Sequence, residues 1–277
     1  MTTHSASLQD AKLCFIGTGV MASAMISGLC QQNLLPPANI MASDPFSIRL
    51  TGLAEQYQIK VTRNNLEAVE NREIVVLSIK PQLLTEVGEE LQGKIPQNGL
   101  VLSIIAGATI NSISQLLQHD RIVRVMPNTP AQVGKGMSVW TSTDSVSTTQ
   151  KEHVQQILAA LGEDMQVGHE DYLDMATALS GSGPAYVFMF MEALIDSAVH
   201  MGFARPVAEK LVYQTIEGSV AYARQSELPP TVLRNMVSSP GGTTVEAIYQ
   251  LEKGGFRTAI SKAIWAAYQK SRHLRSK

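Results

Sequence analysis

Leu13-Cys14-Phe15-Ile16-Gly17-Thr18-Gly19-Val20-Met21-Ala22 decides the fold. Four apolar residues in a row read as a buried strand, and Ala24, Met25, Ile26 and Leu29 beyond the glycines recur at helical spacing. Between strand and helix, Gly17-x-Gly19-x-x-Ala22 is the dinucleotide-binding fingerprint in its G-x-G-x-x-A form, in the context that gives the motif its meaning. Gly17 permits the tight turn, Gly19 lets a pyrophosphate approach the backbone, and Ala22 lets the helix pack closely on the strand.

Working outward, Met1 to Asp10 is polar and small and is expected to be flexible. Downstream, Ile40-Met41-Ala42-Ser43, Ile59-Lys60-Val61, Ile74 to Ile79, Leu100 to Ile105, Arg121 to Met126, Gly136 to Thr141 and Met165 to Val167 read as further strands. Helices are expected at about Gln82 to Leu91 and Lys151 to Leu161. Apolar runs rather than alternation imply a doubly wound parallel sheet covered on both faces. In such a sheet the ligand lies beyond the strand C-termini, which nominates Ser78 to Pro81 and Ile104 to Ala106 as neighbours of a cofactor. Lys80 reads equally as a cofactor contact or as a solvated turn lysine. Asn128, in Pro127-Asn128-Thr129-Pro130, reads as facing a nicotinamide or as a turn residue.

Residues after Ile40 to Ser43 should report which cofactor is used, and they conflict. Asp44 suits a ribose 2′-hydroxyl and NAD, or the start of a turn at Pro45; Ser43, Ser47 and Arg49 suit a 2′-phosphate and NADP.

From Asp171 the strand pattern gives way to helices: about 171–179, a break at Ser180-Gly181-Ser182-Gly183-Pro184, then 185–201, 206–224, 231–236, 244–253 and 256–273. The expected organisation is a dinucleotide-binding domain over residues 1–168 and a helical domain over 169–277. Within Ala185 to Met201 only Glu192, Asp196, Ser197 and His200 are polar. A helix apolar nearly all round must be buried on most sides, which points to a homodimer through this segment. Near the end, Ser238-Ser239-Pro240-Gly241-Gly242-Thr243-Thr244 joins a glycine-rich turn to a helix in which Glu246 follows Thr243 at capping-box spacing. Free N–H groups at such a helix start suit a small carboxylate, although the stretch also reads as an ordinary capped helix.

Composition narrows the function classes. Net charge is −2 and charged residues make up 17%, with no basic stripe, so neither nucleic acid nor an anionic membrane surface is expected as a partner. The longest unbroken apolar run, Ala185 to Met191, is too short to span a bilayer, and no signal-peptide pattern opens the chain. Two cysteines in core-like positions suggest a reducing compartment, so a cytoplasmic protein is expected. Six scattered histidines without an H-x-x-x-H pair or a Cys/His cluster indicate no metal site.

With Gly17 to Ala22, Val76 to Pro81, Met126 to Pro130, Ser180-Gly181-Ser182-Gly183-Pro184-Ala185-Tyr186 and Ser239 to Thr244 in this order, the chain resembles the pyrroline-5-carboxylate reductase family from about Lys12 to Leu274. The resemblance implies a Rossmann-type α/β domain followed by an all-α C-terminal domain. It implies reduction of a cyclic imine to L-proline with NADPH or NADH, and dimers with interleaved C-terminal helices, often assembled into decamers. It further implies a site shared between one subunit's dinucleotide domain and its partner's helices. Carried over by position, Thr244 is the hydroxyl on the ring nitrogen, and Ser239 with backbone N–H groups of Gly242, Thr243 and Thr244 holds the substrate carboxylate. Cofactor contacts are Gly17, Thr18, Gly19, Val20, Met21, Ala22, Ser43, Asn65, Ser78, Ile79, Lys80, Pro81, Ile104, Ile105 and Ala106. Val20 stands where the family commonly has asparagine, and Ile104-Ile105 is bulkier than usual there.

Competing readings are an imine reductase with another substrate, a β-hydroxyacid dehydrogenase and a non-catalytic dinucleotide sensor. The dehydrogenase needs a proton-transferring lysine on the interdomain helix, and no lysine occurs between Lys151 and Lys210. A sensor has no use for the intact SPGGTT stretch.

Overall fold

The computed structural model describes residues 7–275. The chain forms two compact units, one running to Ser182 and rejoined by the stretch from Ala267 onward, the other Gly183–Ala266. In the first unit, strands β1 (Leu13–Ile16), β2 (Ile40–Ser43), β3 (Lys60–Thr62), β4 (Ile74–Leu77), β5 (Leu100–Ser103), β6 (Ile122–Met126), β7 (Gly136–Ser142) and β8 (Gly162–Gln166) form one sheet. Their order is β3-β2-β1-β4-β5-β6-β7-β8. Helices α1 (Val20–Gln31), α2 (Ser47–Tyr57), α3 (Asn65–Val69), α4 (Leu84–Leu91), α5 (Ile110–Leu117) and α6 (Thr148–Ala159) alternate with the strands.

The apolar strands are explained by two cores. Leu13 and Phe15 pack on one face with Met25, Leu29 and Leu158, while Cys14 and Ile16 pack on the other with Leu91, Ile113 and Leu117. Pairing is parallel from β3 through β6, Leu13 lying opposite both Ile40 and Ile74. The sheet then departs from the all-parallel expectation: β7 runs antiparallel to β6, and β8 is parallel to β7. A parallel crossover needs about a dozen residues or more, and the segment 127–135 is too short to supply one. The indole of Trp140, fully buried, donates to Asp164 at 2.7 Å and pins β8 to β7.

The expectation of a flexible 1–10 is corrected at its end. Leu8–Asp10 forms a 3-10 turn capped by the Ser7 side chain, because Leu8 is buried in the core; residues 1–6 lie outside the described residues. After β8, α7 (Asp171–Ala176) runs into a π-helical turn, Thr177–Gly181, so the break expected at 180–184 narrows to Ser182. The second unit holds α8 (Gly183–His200), α9 (Arg205–Ser226), α10 (Pro230–Met236), α11 (Thr243–Lys253) and the start of α12 (Phe256–Arg275). An unbroken apolar run proves too narrow a measure here. The helical stretch Asp171–His200 is long and apolar enough, by length and composition, to cross a membrane. Of α8 only Ile195 and Ala198 are buried, leaving Phe188 60% and Met189 74% exposed.

One buried charge anchors the end of the sheet. Arg124 on β6 is buried and donates to Glu170 at 2.6 Å, and the same carboxylate oxygen accepts from the N–H of Ile110 at 2.8 Å. Glu170→Ala strands the guanidinium and the amide together, which costs about 3–5 kcal/mol. We expect its melting temperature to fall by roughly 10 °C in a circular dichroism melt. Arg124→Met should cost less, because Glu170 can turn to water.

Candidate active site

The strand order reverses direction between β1 and β4, and the crevice beyond such a switch point is where α/β sheets bind ligands. Ile16 pairs with Leu77 there, so Gly17 and Ser78 leave the sheet side by side. Hydrogen bonds lace these ends together. Gly17 donates its N–H to the Ser43 carbonyl at 2.8 Å, and Ile104 donates to Leu77 at 3.0 Å. The Ser78 N–H donates to Ile16 at 2.9 Å, and its hydroxyl donates to the Gly17 carbonyl at 2.7 Å. Gly17 to Ala22, Ser43, Asn65, Ser78 to Pro81 and Ile104 to Ala106 thus fall along one edge of the sheet, at the ends of β1, β2, β4 and β5 and at the start of α3.

Gly19 is the N-cap of α1 and no side chain caps it, so the first-turn N–H groups are open. A Cβ built on Gly19 would meet no atom within 4 Å, whereas Ala22 is fully buried against the sheet. An open cradle lined by backbone donors fits a dinucleotide pyrophosphate. At the end of β2, the Ser43 hydroxyl donates to Asn65 Oδ1 at 2.7 Å, while Asn65 Nδ2 donates to Glu90 at 2.7 Å. Lys80 and Ala106 are exposed and Ile105 is buried.

Two open readings acquire a geometry. Asn128 is a brace: its Oδ1 accepts from the Met137 N–H at 2.8 Å, and its Nδ2 donates at 3.0 Å to the Ser180 carbonyl in the π-turn. Both ends of the amide are thereby used within the chain. Asp44 is buried and turned inward, accepting from the Thr18 N–H and hydroxyl, both at 2.8 Å, and from the Phe46 N–H at 2.9 Å. Sequence reasoning missed these partners and the Ser78 lock, although Asp44 before Pro45 and Asn128 between two prolines both carried a turn reading.

In the second unit, Gly242 donates to the Ser239 carbonyl at 3.0 Å, with Pro240 second and Gly241 third in the turn at φ 71°. Those positions are the ones a type II turn assigns to proline and glycine. The capping box expected from Thr243 and Glu246 does not form. Gly242 takes the N-cap, Thr243 is the first helical residue, and Glu246 accepts instead from Gln250. The turn fixes this outcome by delivering the chain to the helix at Gly242. Its N–H being used in the turn, the donors left at the helix start are those of Thr243 and Thr244, beside the exposed Ser239.

Burial pushes the Cys14 thiol up to about 12, and Cys30 is also raised by burial, so neither is a nucleophile at neutral pH. Among the described residues no group of three or more His, Cys, Asp and Glu is placed to hold a metal ion.

A glycine turn at the switch point of a doubly wound sheet, followed by a helical unit, defines a dinucleotide-dependent oxidoreductase. Residues 12–107 match the family described as NADP oxidoreductase, coenzyme F420-dependent, and residues 170–274 match pyrroline-5-carboxylate reductase dimerisation. The chain belongs to the pyrroline-5-carboxylate reductase family. It is 38% identical to the pyrroline-5-carboxylate reductase of Synechocystis over 96% of this chain and 99% of that protein. Against the Pseudomonas aeruginosa enzyme the identity is 39%, over 96% and 98%. Among solved structures, a pyrroline-5-carboxylate reductase from Coxiella burnetii superposes with a TM-score of 0.89 at 36% identity, covering 95% of this chain and 98% of that one. The Plasmodium falciparum enzyme with NADP bound gives 0.88 at 33%, covering 96% and 99%.

Proposed function

We propose that this chain reduces the cyclic imine 1-pyrroline-5-carboxylate to L-proline, the last step of proline synthesis, with NADPH as reductant and NADH as a second donor. The observation that carries this reading is family identity along nearly the whole chain, joined to the open cradle at Gly19 and the open helix start at Thr243. When bound, the dihydronicotinamide supplies the hydride that reduces the imine carbon. Gly17 to Ala22 hold the pyrophosphate, Ser43 and Asn65 the adenosine end, and Ser78 to Pro81 with Ile104 to Ala106 line the route to the nicotinamide. Ser239 and the N–H groups of Thr243 and Thr244 hold the substrate carboxylate, where the helix dipole favours negative charge. The Thr244 hydroxyl orients the ring nitrogen. A protonated imine is already electrophilic, so positioning rather than strong acid catalysis is what the protein must provide.

We assign residues 1–168 to the cofactor and 169–277 to substrate binding and dimerisation. The exposed apolar surface of α8, within the stretch matched as a dimerisation family, supports a homodimer through these helices in preference to a membrane span. Assembly of such dimers into a decamer follows the same resemblance. Two free cysteines suit the cytoplasm.

Initial rates of NADPH and NADH oxidation, followed by absorbance with and without DL-pyrroline-5-carboxylate, test the function. Substrate-dependent oxidation is expected with both, faster with NADPH. Folded protein that binds the dinucleotide yet oxidises neither would move the activity to another imine or to sensing.

A further inference from the structure

In dinucleotide-binding sheets that use NAD, an acid near the end of the second strand accepts from the ribose 2′-hydroxyl; in those that use NADP, a nearby arginine accommodates the 2′-phosphate. This chain has both residues, and the structure separates their roles. Asp44 is only 4% exposed. Its Oδ2 accepts from the N–H and the hydroxyl of Thr18, and its Oδ1 accepts from the N–H of Phe46. Three of the roughly four lone-pair positions of a carboxylate are thus taken by the chain itself. Arg49 approaches from outside, its Nη1 3.8 Å from Asp44 Oδ2, with the guanidinium 5.0 Å from the centroid of the Phe46 ring and the side chain 52% exposed. Arg49 also shares a cavity of about 550 Å³ with Thr18, Gly19 and Val20 of the glycine turn, and Asp44 does not line it.

We infer that Asp44 is a positioning residue that locks the glycine turn through Thr18, and that Arg49 is the residue that discriminates NADPH from NADH. This deepens the proposed function and rests on its cofactor reading. Two bonds from Asp44 hold Thr18, whose neighbours Gly17 and Gly19 must keep their backbone geometry for a pyrophosphate of either cofactor. Asp44 therefore serves NADPH and NADH alike. Arg49, stacked on Phe46 and half in solvent, lies in the first turn of α2 just past the end of β2, where the two cofactors differ by the charge of a 2′-phosphate.

The test is the dissociation constant of NADPH and of NADH, by fluorescence titration of the purified full chain, for wild type and four variants. Arg49→Ala is expected to weaken NADPH about tenfold, the scale of one partly exposed charge-assisted hydrogen bond, and to change NADH by less than about twofold. Asp44→Asn is expected to weaken both by the same factor, about tenfold. Thr18→Val should do likewise, and the Asp44→Asn, Thr18→Val pair should be no weaker than the worse single variant, since coupled residues are not additive. The selectivity ratio and this coupling are readouts that general loosening of the fold would not produce. Tighter NADPH with weaker NADH in Asp44→Asn would show a ribose ligand and overturn the assignment, as would equal losses for the two cofactors in Arg49→Ala. Should Asp44→Asn fail to fold, Thr18→Val decides alone, and a selectivity change in it overturns the lock. Wild-type protein binding neither dinucleotide would overturn the cofactor reading and this inference together, whereas the other outcomes touch this inference only.

Discussion

Gly17→Ala should abolish useful cofactor binding and destabilise the fold at once, and Gly19→Ala should do the first without the second. At Gly17, φ is 93°, and an added Cβ would lie 2.8 Å from the Ser78 carbonyl oxygen and 3.0 Å from its carbon. Those atoms cannot yield, because Ser78 is held to Ile16 and Gly17 from both its amide and its hydroxyl. Rotating the turn away is also blocked, since the Gly17 N–H is committed to Ser43. Backbone strain of this kind costs about 3 kcal/mol, enough to weaken binding roughly 10²-fold and to lower the melting temperature by about 10 °C. Gly19 is different. It has extended geometry that any residue adopts, at φ −67° and ψ 179°, and open space around its missing Cβ. Alanine there should melt with wild type yet fail to bind, because the methyl group stands where the pyrophosphate must come. Isothermal titration with NADPH beside a thermal melt separates the cases. Wild-type affinity in Gly19→Ala would remove the glycine turn from the cofactor site.

The parts of this molecule that could be read from sequence are those where a residue type has one structural use. Gly17, Gly19 and Ala22 behind a four-residue apolar strand are such a case, and so is the pattern of strands buried on both faces. Where a residue type has two uses, the sequence leaves the choice to geometry. Asp44 can face a ribose or a backbone, and it is the position of the Thr18 amide that decides. Asn128 can face a nicotinamide or brace a turn, and the carbonyl of Ser180, 52 residues on, takes its amide. Thr243 with Glu246 has capping-box spacing, but a turn closing at Gly242 shifts the N-cap by one residue. The reversed β7 is a different case: the nine residues of 127–135 between two readable strands already exclude a parallel crossover, and only the habit of the preceding parallel strands hides it.

The largest effect on turnover is expected from a single hydroxyl. Thr244 sits in the open first turn of α11, half-buried, and among the described residues its hydroxyl has no hydrogen-bond partner. Thr244→Ala should therefore leave the melting temperature within about 1 °C of wild type, the usual outcome for a substitution that breaks no packing and no cap. The same change should lower kcat about 10²-fold with pyrroline-5-carboxylate, the scale of removing one oriented hydrogen-bonding group at a reacting centre. Thr244→Ser, which keeps the hydroxyl and drops a methyl group, should recover most of that loss. Ser239→Ala should behave differently. In the proposed role its hydroxyl meets the carboxylate in ground state and transition state alike, so its loss should raise KM and leave kcat nearly unchanged. Steady-state kinetics on the three variants with NADPH saturating would show the split. Near-normal kcat in Thr244→Ala would sink the assigned role of the hydroxyl, because the N–H groups of the same turn can only donate and a protonated ring nitrogen has no lone pair to receive them.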